Sequence, residues 1–388
     1  MMQHRLWRSG AMAAAIALSA WPSAPMSARL LAQPASATVP TGRDRALDAL
    51  PWRGDLSMVK AAIPLATGLL VLDGDEIHLI RPNGSDTKVV REGDGPLELR
   101  KPKALFPYRG DSVLAVGNDA SVVLVLTPTG APARTMMLRE VRSALMAPRG
   151  SSRAGALSYL APRMGQQVVD SADVVLVDPD RKQSRTVTAL WQPGVSTSGK
   201  LSRNLGKPTD EALLTGSGVL VVYRVTGQRL ELFDATGARI RQLTMPGRPR
   251  ERSAAEQKQM DAAAAFAKAR MDSMVQQMDP KVRALMADAM SATTSNMMAG
   301  EVPAYTPGSL VALSEEVVAM VRSHERGVSD AQYDWVHLRT GAMGSFALPA
   351  AVQVVGAGPR GVALARVTMP DGEMQVATLS LAALLSTR

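Results

Sequence analysis

The sequence contains no cysteine, only four histidines and few aromatic residues: five Trp, five Tyr and four Phe among 388. The absence of cysteine excludes disulfide bonds, thiolate catalysis, iron–sulfur clusters, cysteine-ligated zinc and a lipid-modified N-terminal cysteine. Four histidines leave little material for a histidine-based metal site. The remaining composition, 46% hydrophobic and 20% charged, is that of a globular chain able to bury a large core.

The N-terminus is typical of a secretory signal peptide. Arg5 and Arg8 precede an apolar run from Ala11 to Trp21, and no acidic residue interrupts this region. The run is about half the length that a membrane-spanning helix needs, and no later run is long and apolar enough. We therefore predict a signal peptide over residues 1–37, a linker over 38–55, and an exported protein, periplasmic or secreted, without a membrane span.

The net charge of +9 comes mainly from arginine. The densest basic patch contains Arg239, Arg241, Arg248, Arg250 and Arg252. Nucleic-acid binding would call for aromatic side chains that stack on bases between the basic residues, and this patch lacks them. We interpret the patch as a solvated surface, with contact to an anionic envelope surface as the alternative, and expect no nucleic-acid partner.

Short β-rich runs recur as a unit of strand, tight turn, strand and a second turn that ends in glycine. The clearest copies end at Gly84, Gly130 and Gly237, and a weaker copy ends at Gly341. A unit of about 50 residues with four strands is typical of a β-propeller. The predicted fold is therefore all-β, a six-bladed β-propeller over residues 56–388, with a β-sandwich as the alternative. We expect the segment Asp55–Lys60 to close the ring by pairing with the last blade.

A predicted helical insertion over residues 251–300 interrupts the repeat. Ser253 and Glu256 form a capping box, and Asp279-Pro280 ends one apolar helix and starts another. We predict a helical hairpin whose methionine-rich stripe contacts a partner. The methionines of this surface are Met260, Met271, Met274, Met278, Met286 and Met290. Because thioethers are soft ligands, Cu(I) binding is the alternative hypothesis for the stripe.

One loop motif carries a resemblance to a known family. It consists of Gly93-Asp94-Gly95-Pro96-Leu97-Glu98, then Pro102 and Gly110-Asp111-Ser112-Val113-Leu114. It is similar to a motif of bacterial secreted six-bladed β-propellers of the NHL/TolB-like group, in which Gly is usual at Leu97 and Phe at Leu99. The run from Tyr333 to Pro349 also resembles the penultimate blade of that group. The resemblance implies a fold and not a chemistry, because members commonly have no assigned function.

No catalytic motif accompanies this pattern. Gly356-Ala-Gly358-Pro-Arg-Gly361 matches a dinucleotide fingerprint, but too little chain follows it to complete a Rossmann unit, so we expect no cofactor. Aspartates at Asp73, Asp75, Asp178 and Asp180 are explained by turn chemistry.

We predict an exported binding or scaffold module, rather than an enzyme, that recognises a protein or an envelope-associated ligand through the helical hairpin. The alternative is a propeller hydrolase of lactonase type with a divalent metal in the central channel. Such ligands come from several blades, and one sequence does not show which side chains meet. Three or four converging carboxyl or amide groups in the channel would favour the hydrolase, and an apolar or arginine-lined channel would favour binding.

Overall fold

The computed structural model describes residues 47–49, 56–141, 147–163, 169–195, 209–276, 301–323, 330–358 and 361–386. The predicted signal peptide and most of the predicted linker lie outside these ranges. Among the described residues, no helix is both long enough and apolar enough to cross a lipid bilayer.

The strands follow one another in groups of four, and each group forms an antiparallel arrangement in chain order. After β1 (Leu47–Ala49), sheet 1 contains β2 (Val59–Leu65), β3 (Gly68–Asp73), β4 (Glu76–Ile80) and β5 (Asp86–Lys88). Sheet 2 contains β6 (Ala104–Pro107), β7 (Val113–Val116), β8 (Val122–Leu126) and β9 (Pro132–Met137). Sheet 3 contains β10 (Ala147–Ser151), β11 (Leu157–Pro162), β12 (Val169–Asp178) and β13 (Gln183–Val195).

The second half of the chain repeats this pattern. Sheet 4 contains β14 (Glu211–Leu214), β15 (Leu220–Arg224), β16 (Arg229–Phe233) and β17 (Arg239–Thr244), and a single parallel pair, Gly150 with Leu214, connects it to sheet 3. A two-stranded ribbon, β18 (Arg250–Glu251) with β19 (Glu301–Val302), flanks the helix α1 (Ala254–Gln276). Sheet 5 contains β20 (Val311–Ala312), β21 (Val317–Val321), β22 (Asp330–His337) and β23 (Met343–Pro349). Sheet 6 contains β24 (Val352–Ala357), β25 (Val362–Thr368) and β26 (Met374–Ser380), and the short helix α2 (Leu381–Leu385) follows it.

Burial explains the sequence of each strand. Strands in the middle of a sheet, such as β7 and β15, are continuous apolar runs of which nearly every side chain is buried. Outermost strands, such as β17, alternate charged and apolar residues and are largely exposed. A strand covered on both faces needs apolar side chains throughout, so each sheet must lie between two neighbours.

Each pair of successive sheets packs around one cluster of buried hydrophobic side chains. Leu72 of sheet 1 lies in the same buried cluster as Val113 of sheet 2, and the same holds along the chain to sheets 5 and 6. The series also closes on itself, because Val71 of sheet 1 lies in one cluster with Leu364 of sheet 6. Sheets that pack face to face in a closed series form a β-propeller. The packing therefore confirms the prediction of an all-β propeller.

The first and last strands that the structure describes meet in sheet 6. Strand β1 pairs with β26, with Leu47 opposite Leu379, and becomes the fourth strand of that sheet. In the described part of the predicted closing segment, residues 56–60, the strand pairing with the last sheet is an isolated bridge between Leu56 and Met374. The fourth strand of sheet 6 therefore comes from three residues that the sequence analysis assigned to the linker. The pairing covers an edge of β26 that would otherwise be free to bind another strand.

Glycine is required where a turn packs on the preceding sheet. Gly130 ends the turn after β8 with φ +86°, and its amide donates to the carbonyl of Thr127. A Cβ at this position would lie 3.3 Å from both Leu65 and Leu79 of sheet 1. Backbone conformation and close approach thus both select glycine, which explains its place in the repeat unit.

The predicted insertion begins as a helix. Ser253 and Glu256 form the expected capping box: the amide of Glu256 donates to Ser253 Oγ at 3.3 Å, and the amide of Ser253 to Glu256 Oε2 at 3.1 Å. Met260 is half-buried on α1, and Met271 and Met274 also lie in α1. The other three methionines of the predicted surface, Met278, Met286 and Met290, lie outside the described residues. The predicted second helix of the hairpin also lies outside them.

Candidate functional site

The first strands of the sheets surround the axis of the molecule. Strand β2 contacts β6 and β24, β10 contacts β6 and β14, and β20 contacts β24. We call the end at which these strands begin the front face, and the end at which each turns into the second strand of its sheet the back face. The helical insertion connects the last strand of sheet 4 to the first strand of sheet 5, and so it leaves from the front face.

A cavity of about 290 Å³ lies between sheets 1, 5 and 6. We call it the central cavity because the first strands of these three sheets contribute to its lining. Its wall includes the beginning of β2, the segment that leads into β20, and β24. The polar groups of the lining are Lys60, Ser309, Tyr333, Gln353 and Arg366. The other side chains of the wall are valines and one leucine.

Arg366 is the central polar group of this cavity. It lies directly opposite Gln353 in the β24–β25 pair, so the two side chains share one face of sheet 6. Nη2 of Arg366 donates to Gln353 Oε1, and Nη1 donates to the carbonyl oxygen of Val59 at 3.1 Å. The guanidinium therefore also connects sheet 6 to sheet 1, at the point where the series of sheets closes.

The other polar groups are held by their own partners. Lys60 Nζ lies 3.3 Å from Asp75 Oδ1, in a turn of sheet 1. Ser309 Oγ accepts from the amide of Val321 at 3.1 Å. Tyr333 is buried and stacks on Phe346, with 5.0 Å between ring centroids, and burial raises the pKa of its hydroxyl. The phenol therefore stays neutral in the physiological range.

Glu211 fixes the segment that forms one wall of the cavity. Its carboxylate accepts from the amides of Gly308 at 2.6 Å and Leu310 at 3.1 Å. Burial raises the pKa of Glu211, while these amides and the charge of Arg149 oppose the rise. The carboxylate of β14 thus binds backbone and positions the wall, rather than projecting into the cavity as a metal ligand.

At the back face, one arginine of sheet 3 bridges the two neighbouring sheets and sheet 5, which is not its neighbour in the chain. Arg153, in the turn after β10, pairs with Asp111 of sheet 2 and with Glu315 of sheet 5. Its backbone amide donates to the carbonyl of Gly216 in sheet 4. Four turns therefore meet near the axis at the back face, whereas the cavity lies towards the front face.

Two buried ionic networks stabilise interfaces between sheets. Arg224 of sheet 4 donates to Glu231 at 2.8 Å and Asp210 at 3.0 Å, and also to Thr188 of sheet 3 at 2.6 Å. Burial disfavours the charged form of Arg224, but the two carboxylates outweigh it and raise the pKa of the guanidinium. Every group of this network is satisfied by protein partners, which indicates a structural role.

The second network lies where the ribbon of the insertion joins sheet 5. The hydroxyl of Tyr305 donates to Asp334 Oδ2 at 2.6 Å and accepts from the amide of Gly247 at 2.8 Å. Nε of Arg322 donates to the same carboxylate at 2.8 Å. Since Asp334 is fully buried, these two partners replace the water contacts that its carboxylate loses on folding.

The loop motif that resembles the NHL/TolB-like group is a packing element. Glu98 Oε2 accepts from the amide of Gly95 at 2.9 Å and closes the loop between sheets 1 and 2. Leu97, where the group usually has glycine, has φ +66°, a left-handed conformation that suits glycine. Leu99 is buried beneath Gly117. No side chain of this loop lines the central cavity.

The basic patch separates into different environments. Arg250 donates from both terminal nitrogens to Glu256, at 2.7 and 2.6 Å, and so holds the first turn of α1 on the ribbon. Arg239 and Arg241 lie on the exposed outermost strand of sheet 4, where Arg239 Nη1 is 3.7 Å from Glu231.

The site residues of the cavity were not identified from the sequence. Arg366 is the one charged residue within the apolar strand β25, and a charged residue in such a strand is the signal that could have drawn attention to it. Lys60, Ser309 and Gln353 carry no comparable signal. They come from different sheets, and only the closure of the ring brings them together.

The hydrolase alternative requires acidic or histidine side chains that converge on a divalent metal ion. Within the described residues, no group of three or more His, Asp or Glu side chains is placed to hold a metal ion. The aspartates of the predicted turns act locally: Asp178 Oδ1 accepts from the amides of Asp180 and Arg181, both at 3.1 Å. His78 lies beside Asp86 at 2.9 Å in sheet 1, and His337 beside Glu316 in sheet 5.

Comparisons with known proteins found only distant structural similarities. No protein-family model matches the sequence, and no curated protein matches it. Among solved structures, a protein from Bacteroides fragilis named as a candidate exported protein is 10% identical, with a TM-score of 0.49 over 86% of this chain and 94% of that one. A streptogramin B lyase is 11% identical, with a TM-score of 0.43 over 85% and 86% of the two chains. A luciferin-regenerating enzyme is 10% identical, with a TM-score of 0.42 over 86% and 94%.

Proposed function

We propose that this protein is an exported six-bladed β-propeller that acts as a binding module, with the front face as its recognition surface. The observation that carries the proposal is the lining of the central cavity, where Arg366, Lys60 and Gln353 lie among apolar side chains. A cavity with a few polar groups on an apolar wall is typical of ligand-binding sites. The one carboxylate that fixes its wall, Glu211, is occupied by backbone amides.

The blade count of six is supported by the packing of the sheets. The described residues contain six groups of four strands when β1 is counted with sheet 6. A buried cluster lies between each pair of successive sheets, including sheets 6 and 1. The loop motif supports assignment to the NHL/TolB-like group, and residues 1–37 support export to the periplasm or beyond.

The helical insertion supplies a second part of the recognition surface. It leaves from the same face as the cavity, and Phe266 on α1 is 71% exposed. A large aromatic side chain in solvent is the kind of group that anchors protein interfaces. The proposed partner is a protein or an envelope-associated ligand. The methionines assigned to this surface are Met260, Met271, Met274, Met278, Met286 and Met290.

Site-specific photo-crosslinking in the producing cell tests this proposal. A photoreactive amino acid in place of Phe266 should give a discrete crosslinked product in the envelope fraction. The same amino acid in place of Met137, which is 66% exposed on the outermost strand of sheet 2, is the matched control. Crosslinking at Phe266 that does not exceed the control, or recovery of the protein in the cytoplasm, would contradict the proposal.

The lactonase-type hydrolase is the alternative function. It requires a divalent cation held by carboxylates or amides from several blades. Metal analysis of the purified mature chain, combined with a lactone hydrolysis assay, separates the two functions. One tightly bound divalent cation per chain together with metal-dependent hydrolysis would replace the binding proposal with the enzymatic one.

A further inference from the structure

Two neutral oxygen atoms accept hydrogen bonds from the guanidinium of Arg366. Within the described residues, its partners are the carbonyl of Val59 and Oε1 of Gln353, and no carboxylate pairs with it. A guanidinium has five N–H donors, and these two contacts use two of them. A half-buried cation without a counter-charge is a favourable place for an anion, because binding the anion supplies the missing partner.

The groups around Arg366 are also donors. Oε1 of Gln353 is taken by Arg366, so the amide NH₂ of Gln353 remains to donate beside the guanidinium. Oγ of Ser309 accepts from Val321, which leaves its O–H as a donor. Lys60, also in the lining, adds a second positive charge that is shared with the half-exposed Asp75. Hydrogen-bond donors therefore exceed acceptors in the lining of the cavity.

The remaining wall of the cavity is apolar. Its members are Val59, Leu310, Val311, Val321, Val354 and Val355. A volume of about 290 Å³ lies at the lower end of the range for small-molecule sites. Valine and leucine walls favour a ligand with an aliphatic body over a fully charged inorganic anion, because burial of apolar surface is favourable and burial of unpaired charge is not.

We infer that the central cavity binds the carboxylate of a small ligand with a short aliphatic body, with Arg366 and Gln353 on the carboxylate and the valine wall around the body. This inference rests on the proposed binding function and names its ligand class. An arginine pairs with a carboxylate through two parallel N–H···O bonds, which is among the strongest polar contacts in proteins. The carboxylate is either that of a free acid or that of a peptide C-terminus.

Calorimetric titration of the mature chain with defined probes tests the inference. Isovalerate represents a free acid, acetyl-Ala-Val a peptide C-terminus, and isovaleramide is a neutral control of the same shape as the acid. We expect a carboxylate probe to bind about tenfold or more tightly than the amide, since hydrogen bonds to a charged group are stronger than those to a neutral group. Preference for one carboxylate probe identifies the source. Equal binding of acid and amide, or no binding of either carboxylate, overturns the inference.

A charge introduced beside Arg366 gives the sharper test. Gln353→Glu keeps an acceptor for Arg366 and so preserves the contact between sheets 6 and 1, but it places a competing carboxylate in the site. We expect carboxylate affinity to fall about tenfold or more, with the melting temperature unchanged. Gln242→Glu, on the exposed strand β17, makes the same charge change far from the cavity and should not alter affinity.

A second variant covers the case in which Gln353→Glu does not fold. Arg366→Lys keeps the positive charge and removes the planar fork, so carboxylate affinity should still fall severalfold. Unchanged affinity in a folded Gln353→Glu or Arg366→Lys protein overturns the inference. The proposed function is tested separately by crosslinking at Phe266, which does not involve the cavity, so the two can fail independently.

Discussion

Tyr223 and Tyr305 pack edge to face across the interface of sheets 4 and 5, with ring centroids 5.4 Å apart and planes at 84°. Their rings share one hydrophobic cluster, but their hydroxyls differ. Tyr305 donates to the buried carboxylate of Asp334, whereas the buried hydroxyl of Tyr223 has no hydrogen-bond partner among the described residues. A Tyr→Phe substitution therefore removes a hydrogen-bonded hydroxyl at position 305 and an unpartnered hydroxyl at position 223.

Removal of the two hydroxyls should affect the free energy of unfolding differently. Tyr305→Phe leaves Asp334 with one fewer donor and should lower the free energy of unfolding by about 1–3 kcal/mol. Tyr223→Phe removes a hydroxyl that is already unsatisfied and should be neutral or slightly stabilising. Urea unfolding followed by fluorescence measures both. A loss of stability in Tyr223→Phe as large as that in Tyr305→Phe would show that the hydroxyl of Tyr223 has a partner.

Leu97 occupies a left-handed conformation that its side chain makes unfavourable. Leu97→Gly should therefore relieve strain and raise the free energy of unfolding by up to about 1 kcal/mol, after allowance for the greater flexibility of glycine in the unfolded chain. Leu99→Gly, two residues along, is the control and should destabilise by about 2–5 kcal/mol because Leu99 is buried. Thermal unfolding that finds Leu97→Gly destabilising would mean that the half-exposed side chain contributes more than the strain costs.

The first turn of α1 should depend on pH. The hydrogen bonds from Arg250 lower the pKa of Glu256 to about 2 from 4.5. Because the folded-state pKa is the lower one, this stabilisation is fully present above pH 4.5 and is lost as the pH falls towards 2. Amide exchange of residues 254–260 should therefore accelerate across this window in the wild type. In Glu256→Gln the exchange should already be faster at neutral pH and should not respond to this window, and an unchanged wild-type profile in the variant would contradict the assignment.

The helical insertion should be separable from the β-sheets. Its ends are held together by the β18–β19 ribbon, in which Glu251 lies opposite Glu301, so a short Gly/Ser linker can replace residues 254–298. The described part of this segment, residues 254–276, contributes no residue to the six interfaces between sheets, so the β circular dichroism signal and cooperative unfolding should persist. Loss of the whole fold after the replacement would show that the insertion is part of the core.

Local patterns were enough to predict the strands that lie inside the sheets. The repeated apolar runs that end at Gly84, Gly130, Gly237 and Gly341 correspond to paired strands followed by turns with positive φ at those glycines. The capping box at Ser253 was predicted for the same reason: it depends on residues three apart. The second helix of the hairpin and the methionine surface stay predictions.

Long-range contacts and backbone conformation explain two features that the sequence pattern did not predict: strand β1 and the conformation of Leu97. Strand β1 has no apolar signature of its own and exists because β26 offers a free edge. Leu97 looked like a departure from a motif, and only the backbone conformation shows that this position still demands what glycine provides.

The sequence by itself determined the composition limits, the strand-and-turn repeat and the start of the helical insertion, because each depends on residues close in the chain. The tertiary structure decided which side chains meet at the axis. Arg366 and Val59 are in contact although 307 residues separate them, and Arg153 pairs with Glu315 over 162. Such contacts follow from closure of the ring, which brings together residues that are far apart in the chain. The sequence pattern of one strand or turn contains no information about which distant segment will contact it.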